Sequence, residues 1–289
     1  MEVPMLVTDF LDRAARLYPD KVAVVDGDRR FSYRDLEERV DRLSNALLDL
    51  GLNRGDRVCM LSPNSHFYLE SFYATAQVGL VLVPLNYRLL AADHEYILNH
   101  AGVSAVLVDW EYTGVVDEIR AKLPNVSHWI VAQDEGEPAD GWTSWNALVE
   151  AASPERPTRP EIVENEVVSI NYTSGTTSRP KGVMMTHRNC YLNAYNMTVH
   201  LGIHHDDVEL WTLPMFHCNG WGGVYALTGM GGTHVILRAI DGEKILGLIA
   251  DEKITFACMA PAVLRTILDT PDKHRFDIQT QPRFTVAGA

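Results

Sequence analysis

Short, continuously apolar segments alternate with longer helical segments along the chain, and this alternation restricts the fold more than any other feature. The apolar segments include residues 58–61, 80–83 and 105–108, and the helical segments include 33–50, 65–79 and 92–101. A strand that is apolar on both sides must be covered on both faces, as in a parallel sheet built from strand–helix–strand units. The pattern therefore predicts an α/β fold with parallel strands.

The alternation continues beyond a proline-rich connection, which indicates a second unit. Residues 153–160 contain three prolines, and such a segment forms neither a helix nor a central strand. An amphipathic helix at 8–18 and a hairpin at 22–33 begin the chain, and further strands are predicted near 167–171, 209–213, 234–237, 255–257 and 284–289. We predict two stacked, mostly parallel sheets covered by helices. Residues 1–160 would form a first α/β subdomain, and residues 161–289 a second one.

Composition excludes several classes of protein. The net charge of −13 is spread along the chain without a basic patch, and such a surface repels the phosphate backbone of a nucleic acid. Cys59, Cys190, Cys218 and Cys258 form no CxxC pair, unlike a zinc site or a disulfide framework. No segment approaches the roughly 20 apolar residues of a membrane helix, and the N-terminus lacks a secretory pattern. We expect a protein of the reducing cytoplasm.

A polar loop behind an apolar strand is the strongest functional signal. Residues 172–182 contain five Ser or Thr hydroxyls, two glycines and a lysine. Glycine lets backbone N–H groups approach an anion, hydroxyls donate hydrogen bonds and lysine adds a positive charge. The sequence therefore predicts a phosphate-binding loop in the second subdomain, made by Thr173, Ser174, Gly175, Thr176, Thr177, Ser178, Lys181 and Gly182.

Two other interpretations of this loop are weaker. A surface turn rich in Ser and Thr is common, but such a turn rarely combines Gly175, Lys181 and Gly182 directly behind a buried strand. The P-loop of nucleotide hydrolases, GxxxxGK[ST], has the same separation of glycine and lysine. However, Pro180 stands where its second glycine should be, and Gly182 replaces the hydroxyl residue that would bind magnesium.

Five segments resemble those of a known family, the adenylate-forming (ANL) superfamily of acyl-CoA synthetases, luciferases and peptide-synthetase adenylation domains. Residues 172–183 resemble its phosphate-binding signature and 185–189 the segment after it, although Ser178 stands where many members have a second glycine. Residues 213–221 resemble the acyl-pocket segment of fatty-acyl and aryl-CoA ligases. Residues 286–289 resemble the family's Gly-Gly-Ala stretch, with Ala287 replacing one glycine, and residues 83–88 also match.

The resemblance implies the N-terminal part of a fatty-acyl or medium-chain acyl-CoA synthetase. Such an enzyme uses ATP to convert a carboxylic acid to an acyl-adenylate and then transfers the acyl group to coenzyme A. The implied cofactors and substrates are ATP, Mg²⁺, CoA and a fatty or aromatic acid, with the Thr173 hydroxyl as the Mg²⁺ contact. The implied acyl and adenylate pocket contains His217, Cys218, Trp221, Gly288 and Ala289, with Trp221 at the mouth of the acyl tunnel.

The resemblance also implies parts that are not found in these 289 residues. Family members carry a Tyr-Gly-x-Thr-Glu segment that completes the magnesium site, a ribose-binding aspartate and a C-terminal domain with a catalytic lysine. We therefore expect the chain as written not to turn over. An aryl-CoA ligase or another adenylating enzyme is an open alternative. A non-catalytic nucleotide-binding or dimerisation module is an alternative of another class, and a homodimer is an open form of assembly.

Overall fold

The computed structural model describes residues 3–173 and 179–288, which form two sheets covered by helices. The strands are β1 (Val22–Asp26), β2 (Arg29–Ser32), β3 (Arg57–Leu61), β4 (Val81–Leu85), β5 (Val103–Asp109), β6 (His128–Ala132), β7 (Thr143–Ser144), β8 (Val167–Thr173), β9 (Lys181–Thr186), β10 (Val208–Trp211), β11 (Thr233–Ile236), β12 (Phe256–Met259) and β13 (Arg283–Val286). The helices are α1 (Thr8–Leu17), α2 (Tyr33–Asp49), α3 (His66–Gln77), α4 (Ala91–Ala101), α5 (Thr113–Asp117), α6 (Trp145–Ala151), α7 (His187–Leu201), α8 (Gly223–Met230), α9 (Gly242–Asp251) and α10 (Pro261–Asp269).

Most strand pairs in both sheets are parallel, as predicted. The first sheet has the order β7-β6-β5-β3-β4-β8-β9, and its β8–β9 pair is antiparallel. The second sheet has the order β13-β12-β10-β11-β1-β2, and its β1–β2 hairpin is antiparallel. Central strands such as β3 and β4 are almost fully buried, which explains why their sequences are apolar without alternation. The predicted fold class is confirmed.

In each sheet, strands from before residue 160 pair with strands from after it. The early hairpin β1–β2 joins the second sheet through the parallel pair β1–β11, and the later hairpin β8–β9 joins the first sheet through β4–β8. The proline-rich segment 153–160 lies between the two hairpins in the sequence and contains neither helix nor strand, as expected. A division into 1–160 and 161–289 stays a prediction about folding units, and it does not coincide with the division between the sheets.

Helix α3 is buried along its whole length. Every residue from His66 to Gln77 is covered, because the helix packs against β3 and β4 of the first sheet and β1 of the second, as well as against α2. A helix in such a position is expected to be apolar on all sides, and α3 departs from this expectation at buried polar residues such as Glu70 and Gln77, which are hydrogen-bonded. Within the described residues, no helix is both long and apolar enough to cross a membrane.

A buried ion pair fastens α3 to α2. The Glu70 side chain is completely buried, and Arg39 donates from Nε to Oε1 at 2.6 Å and from Nη2 to Oε2 at 3.2 Å. The indole Nε1 of Trp145 also donates to Glu70 Oε2, at 3.2 Å. These three hydrogen bonds compensate for the loss of hydration that a buried carboxylate suffers.

We predict that Arg39→Met lowers the free energy of unfolding by about 3 kcal/mol, because it leaves the Glu70 carboxylate buried without its counter-ion. Arg265→Met is the matched control, since Arg265 pairs with Asp269 across an exposed helix surface, where ion pairs contribute little. Urea unfolding of both variants measures the difference. Equal stabilities of the two variants would show that the buried pair makes no special contribution.

Candidate functional site

The two ends of the predicted phosphate loop meet in a hairpin. Thr173 ends β8 and pairs with Lys181, which begins β9, and Tyr172 pairs with Gly182. The β9 arm was not predicted from the sequence. Of the predicted loop residues, Ser174, Gly175, Thr176, Thr177 and Ser178 lie outside the described residues. The pairing therefore brings the hydroxyl of Thr173 and the charge of Lys181 to one end of the hairpin.

Gly182 is needed for space in this hairpin. A Cβ at this position would lie 2.8 Å from Ile170 Cγ2 and 3.2 Å from Tyr172 Cζ, which is too close for an unchanged structure. The absence of a side chain lets the Tyr172 ring lie across the hairpin. Gly182 thus leaves room for Tyr172, which lies on the opposite strand next to the predicted loop. A direct contact between Gly182 and a phosphate stays a prediction.

A cavity of about 390 Å³ lies beside the hairpin. Its wall includes Thr173 and His217, together with Phe216 and the polar side chains of Asn86 and Asp93. The cavity opens where β4 and β8 end, and the carboxyl ends of parallel strands are the usual ligand position in α/β sheets. Two segments that the sequence singled out separately, the phosphate loop and the His217 segment, therefore line one cavity.

Asn64 fixes the His217 segment from the other sheet. Its Nδ2 donates to the carbonyl oxygens of Trp211 (3.1 Å) and Leu213 (2.8 Å), and its Oδ1 accepts from the backbone N–H of Met215 (2.8 Å). The sequence analysis missed this residue. A polar side chain three residues after the apolar strand β3 was the available signal, but a local pattern cannot show that its partners lie far along the chain.

The ring of Trp211 packs against the backbone of the residues that follow His217. A Cβ at Gly220 would overlap the Trp211 ring, and one at Gly223 would lie 3.2 Å from it. Trp211 Nε1 donates to His234 Nδ1 at 2.9 Å, and His234 Nε2 lies 2.9 Å from the Thr228 hydroxyl. Burial lowers the pKa of His234 to about 3, so the ring is neutral. Since an indole N–H can only donate, Nδ1 accepts and Nε2 carries the proton toward Thr228.

The backbone at Trp221 is strained. Trp221 has φ +60°, between Gly220 at +55° and Gly222 at +85°, and a left-handed conformation costs a residue with a side chain about 1–2 kcal/mol. Asn193 Nδ2 donates to the Trp221 carbonyl oxygen at 2.8 Å. The half-buried indole packs against the main core, so contacts on both its backbone and its side chain hold this conformation.

Comparison with known proteins identifies the family. The profile of the AMP-binding enzyme family matches residues 11–289. The chain belongs to the AMP-binding enzyme family. This confirms the predicted superfamily, and several relatives of the chain are named as CoA ligases.

Individual members of the family are similar to the chain in sequence and in fold. The chain is 34% identical to 4-hydroxybutyrate–CoA ligase 2 of Metallosphaera sedula, over 97% of this chain and 52% of that protein. It is 31% identical to the peroxisomal trans-cinnamate:CoA ligase of Petunia hybrida, over 99% of this chain and 54% of that protein. The inhibitor-bound N-terminal domain of FACL13 from Mycobacterium tuberculosis matches with a TM-score of 0.90 and 30% identity, over 99% of this chain and 70% of that one. The chain thus spans about half the length of these curated relatives.

Two of the remaining predicted pocket residues in this AMP-binding enzyme, Trp221 and Gly288, follow strands of the second sheet. Among the described residues, the cavity lining includes His217 but neither Trp221 nor Gly288. Gly288 is exposed just beyond β13, with φ +84°. Ala289 and the side chain of Cys218 lie outside the described residues. A role for these four residues in an acyl or adenylate pocket stays a prediction.

Thr173 has the chemistry expected of a magnesium ligand. Mg²⁺ prefers oxygen ligands and is commonly held by one or two protein groups together with water and substrate phosphates. Thr173 and Asp93 both line the cavity, whereas the described residues contain no group of three His, Cys, Asp or Glu side chains that could hold a metal alone. These residues fit a metal ion that is bound together with nucleotide phosphates.

A buried carboxyl group lies beneath the start of α8. Glu209 is almost completely buried, and its Oε2 has no hydrogen-bond partner among the described residues. A Cβ at Gly223, the first residue of α8, would lie 3.6 Å from this oxygen. Burial raises the pKa of Glu209 to about 8, and Asp207 adds to the rise. At neutral pH the group is therefore mostly protonated.

We predict that Glu209→Gln becomes more stable than the wild type as the pH rises. The raised folded pKa favours the protonated folded protein below the unfolded value of 4.5, and this contribution is lost as the pH rises toward about 8. Glutamine resembles the protonated acid and carries no such loss. The difference in unfolding free energy should grow by on the order of 1 kcal/mol per pH unit between about pH 5 and pH 7.5. Urea titrations that give a constant difference would contradict the assignment.

Proposed function

We propose that the chain is the nucleotide- and acid-binding part of an ATP-dependent acyl-CoA synthetase. In the complete reaction, the carboxylate would attack the α-phosphorus of ATP, pyrophosphate would leave, and the thiol of CoA would then displace AMP from the acyl-adenylate. The observation that carries the proposal is the single cavity lined by Thr173 and His217 in a member of the AMP-binding enzyme family. Because the chain spans about half of its relatives, the complete reaction is proposed for a longer protein.

The proposed chemistry makes modest demands on acid–base catalysis. A carboxylic acid with a pKa of about 4.3 is already ionised at neutral pH, so no general base is required. The main barrier is to bring this anion against the polyanionic phosphates. Lys181 and the Thr173 hydroxyl would bind and orient the phosphates. A bound Mg²⁺ would supply further neutralisation of the charge that develops on pyrophosphate.

The preferred acid is a finer proposal. We propose a medium- or long-chain fatty acid, with aromatic acids as the alternative, because the segment 213–221 resembles both groups of ligases. The relatives described above are named for 4-hydroxybutyrate and trans-cinnamate, so short and aromatic acids belong in any test. A panel of acids assayed for adenylate formation separates these options.

Location and assembly are also proposals. The buried thiols of Cys59 and Cys258 form no disulfide, which supports a cytoplasmic, reducing setting. A homodimer remains a second proposal, to be tested by sedimentation. A non-catalytic nucleotide-binding or dimerisation module is the alternative function, and it would bind ATP or self-associate without supporting turnover in any longer form.

Nucleotide binding tests the proposal directly. We predict that the 289-residue chain binds Mg·ATP and that Lys181→Met weakens binding by about 10- to 100-fold, the range for loss of a hydrogen bond to a charged group. Thr173→Val should reduce the advantage of Mg²⁺ over metal-free ATP. Lys273→Met is the control: Lys273 is a half-buried lysine in the turn after α10, and its Nζ donates to the Leu268 carbonyl oxygen. Isothermal titration calorimetry that finds no ATP binding by the wild type would refute the proposed function.

Trp221 is proposed to close the acyl tunnel until ATP binds. If so, Trp221→Ala should leave the melting temperature nearly unchanged and should let the acid bind without prior ATP. If the indole only fills the core, the variant should lose about 3–5 kcal/mol of stability, and acid binding by the folded fraction should keep its dependence on ATP. Thermal melting, together with acid titrations with and without Mg·ATP, distinguishes the two roles.

A further inference from the structure

One side of α4 carries two aromatic rings that face the phosphate-loop hairpin. Tyr96 and His100 are four residues apart and therefore neighbours on the helix surface. Their rings stack with centroids 5.4 Å apart and planes inclined by 30°. Neither ring is required to attach α4 to the protein, because Ile97 and Leu98 are buried in the first sheet's core.

His100 contacts the β8 arm of the hairpin. Its Nδ1 lies 2.7 Å from the hydroxyl oxygen of Tyr172, and the two rings meet edge to face with centroids 5.8 Å apart. Burial, with Tyr96 nearby, raises the pKa of Tyr172 to about 12, so the phenol keeps its proton at neutral pH. Tyr172 directly precedes Thr173, and Gly182 on the opposite strand leaves the space that the Tyr172 ring occupies.

Tyr96 contacts the other arm. The guanidinium carbon of Arg179 lies 5.3 Å from the centroid of the Tyr96 ring, a distance typical of a cation–π interaction. Arg179 is separated from Lys181 by Pro180 alone, and Arg179 and Pro180 line a groove with Tyr96 and His100. The two arms that enclose the predicted phosphate loop are thus attached to adjacent positions on one helix.

We propose that Tyr96 and His100 are positioning residues for nucleotide binding: together with Tyr172 and Arg179 they form a clamp, the α4 clamp, that holds both arms of the phosphate loop. This inference rests on the proposed function. The hairpin lies at the edge of its sheet, since β9 has β8 as its neighbour in the strand order. Every residue of β9 is exposed or half-buried, so this hairpin is expected to open more easily than the central strands. Contacts to α4 would hold its two arms in one arrangement before a nucleotide binds, which lowers the entropic cost of binding.

Proteolysis tests whether the clamp holds the hairpin, without any nucleotide. Trypsin cleaves after Lys181, whereas the bond after Arg179 is protected by Pro180, so the peptide that begins at Gly182 reports opening of the hairpin. We expect His100→Ala and Tyr96→Leu to release it about two- to tenfold faster, the range for loss of one hydrogen bond or cation–π contact. Tyr96→Phe keeps the ring and should behave as the wild type.

Asn99→Ala is the matched control on the same helix. Asn99 donates to the carbonyl oxygens of Glu95 and Lys122 and makes no hydrogen bond to the described residues of the hairpin. Its release of the peptide should equal that of the wild type. Melting temperatures of all variants should remain close to one another, because the buried side chains of α4 are unchanged. Equal cleavage in His100→Ala, Tyr96→Leu and the wild type would overturn the clamp.

Mg·ATP titration tests whether the clamp serves nucleotide binding. His100→Ala and Tyr96→Leu should each raise the dissociation constant by about two- to tenfold, with Tyr96→Phe and Asn99→Ala unchanged. Faster cleavage with an unchanged dissociation constant would overturn the positioning role. If the wild type binds no Mg·ATP, the proposed function fails and the positioning role fails with it, while the cleavage rates still decide whether α4 holds the hairpin.

Discussion

Burial of α3 on every side is the constraint on which the rest of the architecture depends. Since all residues from His66 to Gln77 are covered, both sheets must pack against this one helix, β3 and β4 from the first and β1 from the second. Asn64, two residues before the helix, is thereby held where it can bond the segment that follows β10. The shared cavity of Thr173 and His217 follows from this packing, because the first residue belongs to one sheet and the second follows a strand of the other.

The sequence allowed the fold class to be predicted because strands buried on both faces leave a clear local trace. Segments such as Val81–Leu85 are apolar throughout, and their alternation with helices leaves few arrangements. No local sequence pattern indicated that the β1–β2 hairpin would join the second sheet and the β8–β9 hairpin the first. Val24 of β1 pairs with His234 of β11, which is more than 200 residues away. A local sequence pattern indicates that a strand is buried, but it does not indicate which strand lies next to it. The edge strand β9 was missed because Val183 and Met184 are apolar but exposed.

The candidate site was predictable to the extent that its residues are close together in the sequence. The spacing of hydroxyls, glycines and Lys181 predicted a phosphate loop, and the loop's described ends do lie together in a hairpin. Asn64, the Trp211–His234 contact and the α4 clamp could not be predicted, because each joins ordinary residue types across long sequence distances. These contacts all hold backbone segments in place, and most of the residues that make them lie outside the segments that resemble a known motif.

Two energetically unfavourable features lie in or next to the His217 segment: a strained backbone and a buried carboxyl oxygen. Trp221 is held in a left-handed conformation, at a cost of about 1–2 kcal/mol. Glu209 leaves a carboxyl oxygen without a described partner, which costs about 1–3 kcal/mol for a buried polar group. Violations of local rules are expected where function competes with stability. The segment is held by hydrogen bonds from Asn64 and Asn193 and by the packing of Met215 and Trp221 against the main core. If Trp221 moves aside when nucleotide binds, as proposed, release of its backbone strain would offset part of the packing that is lost.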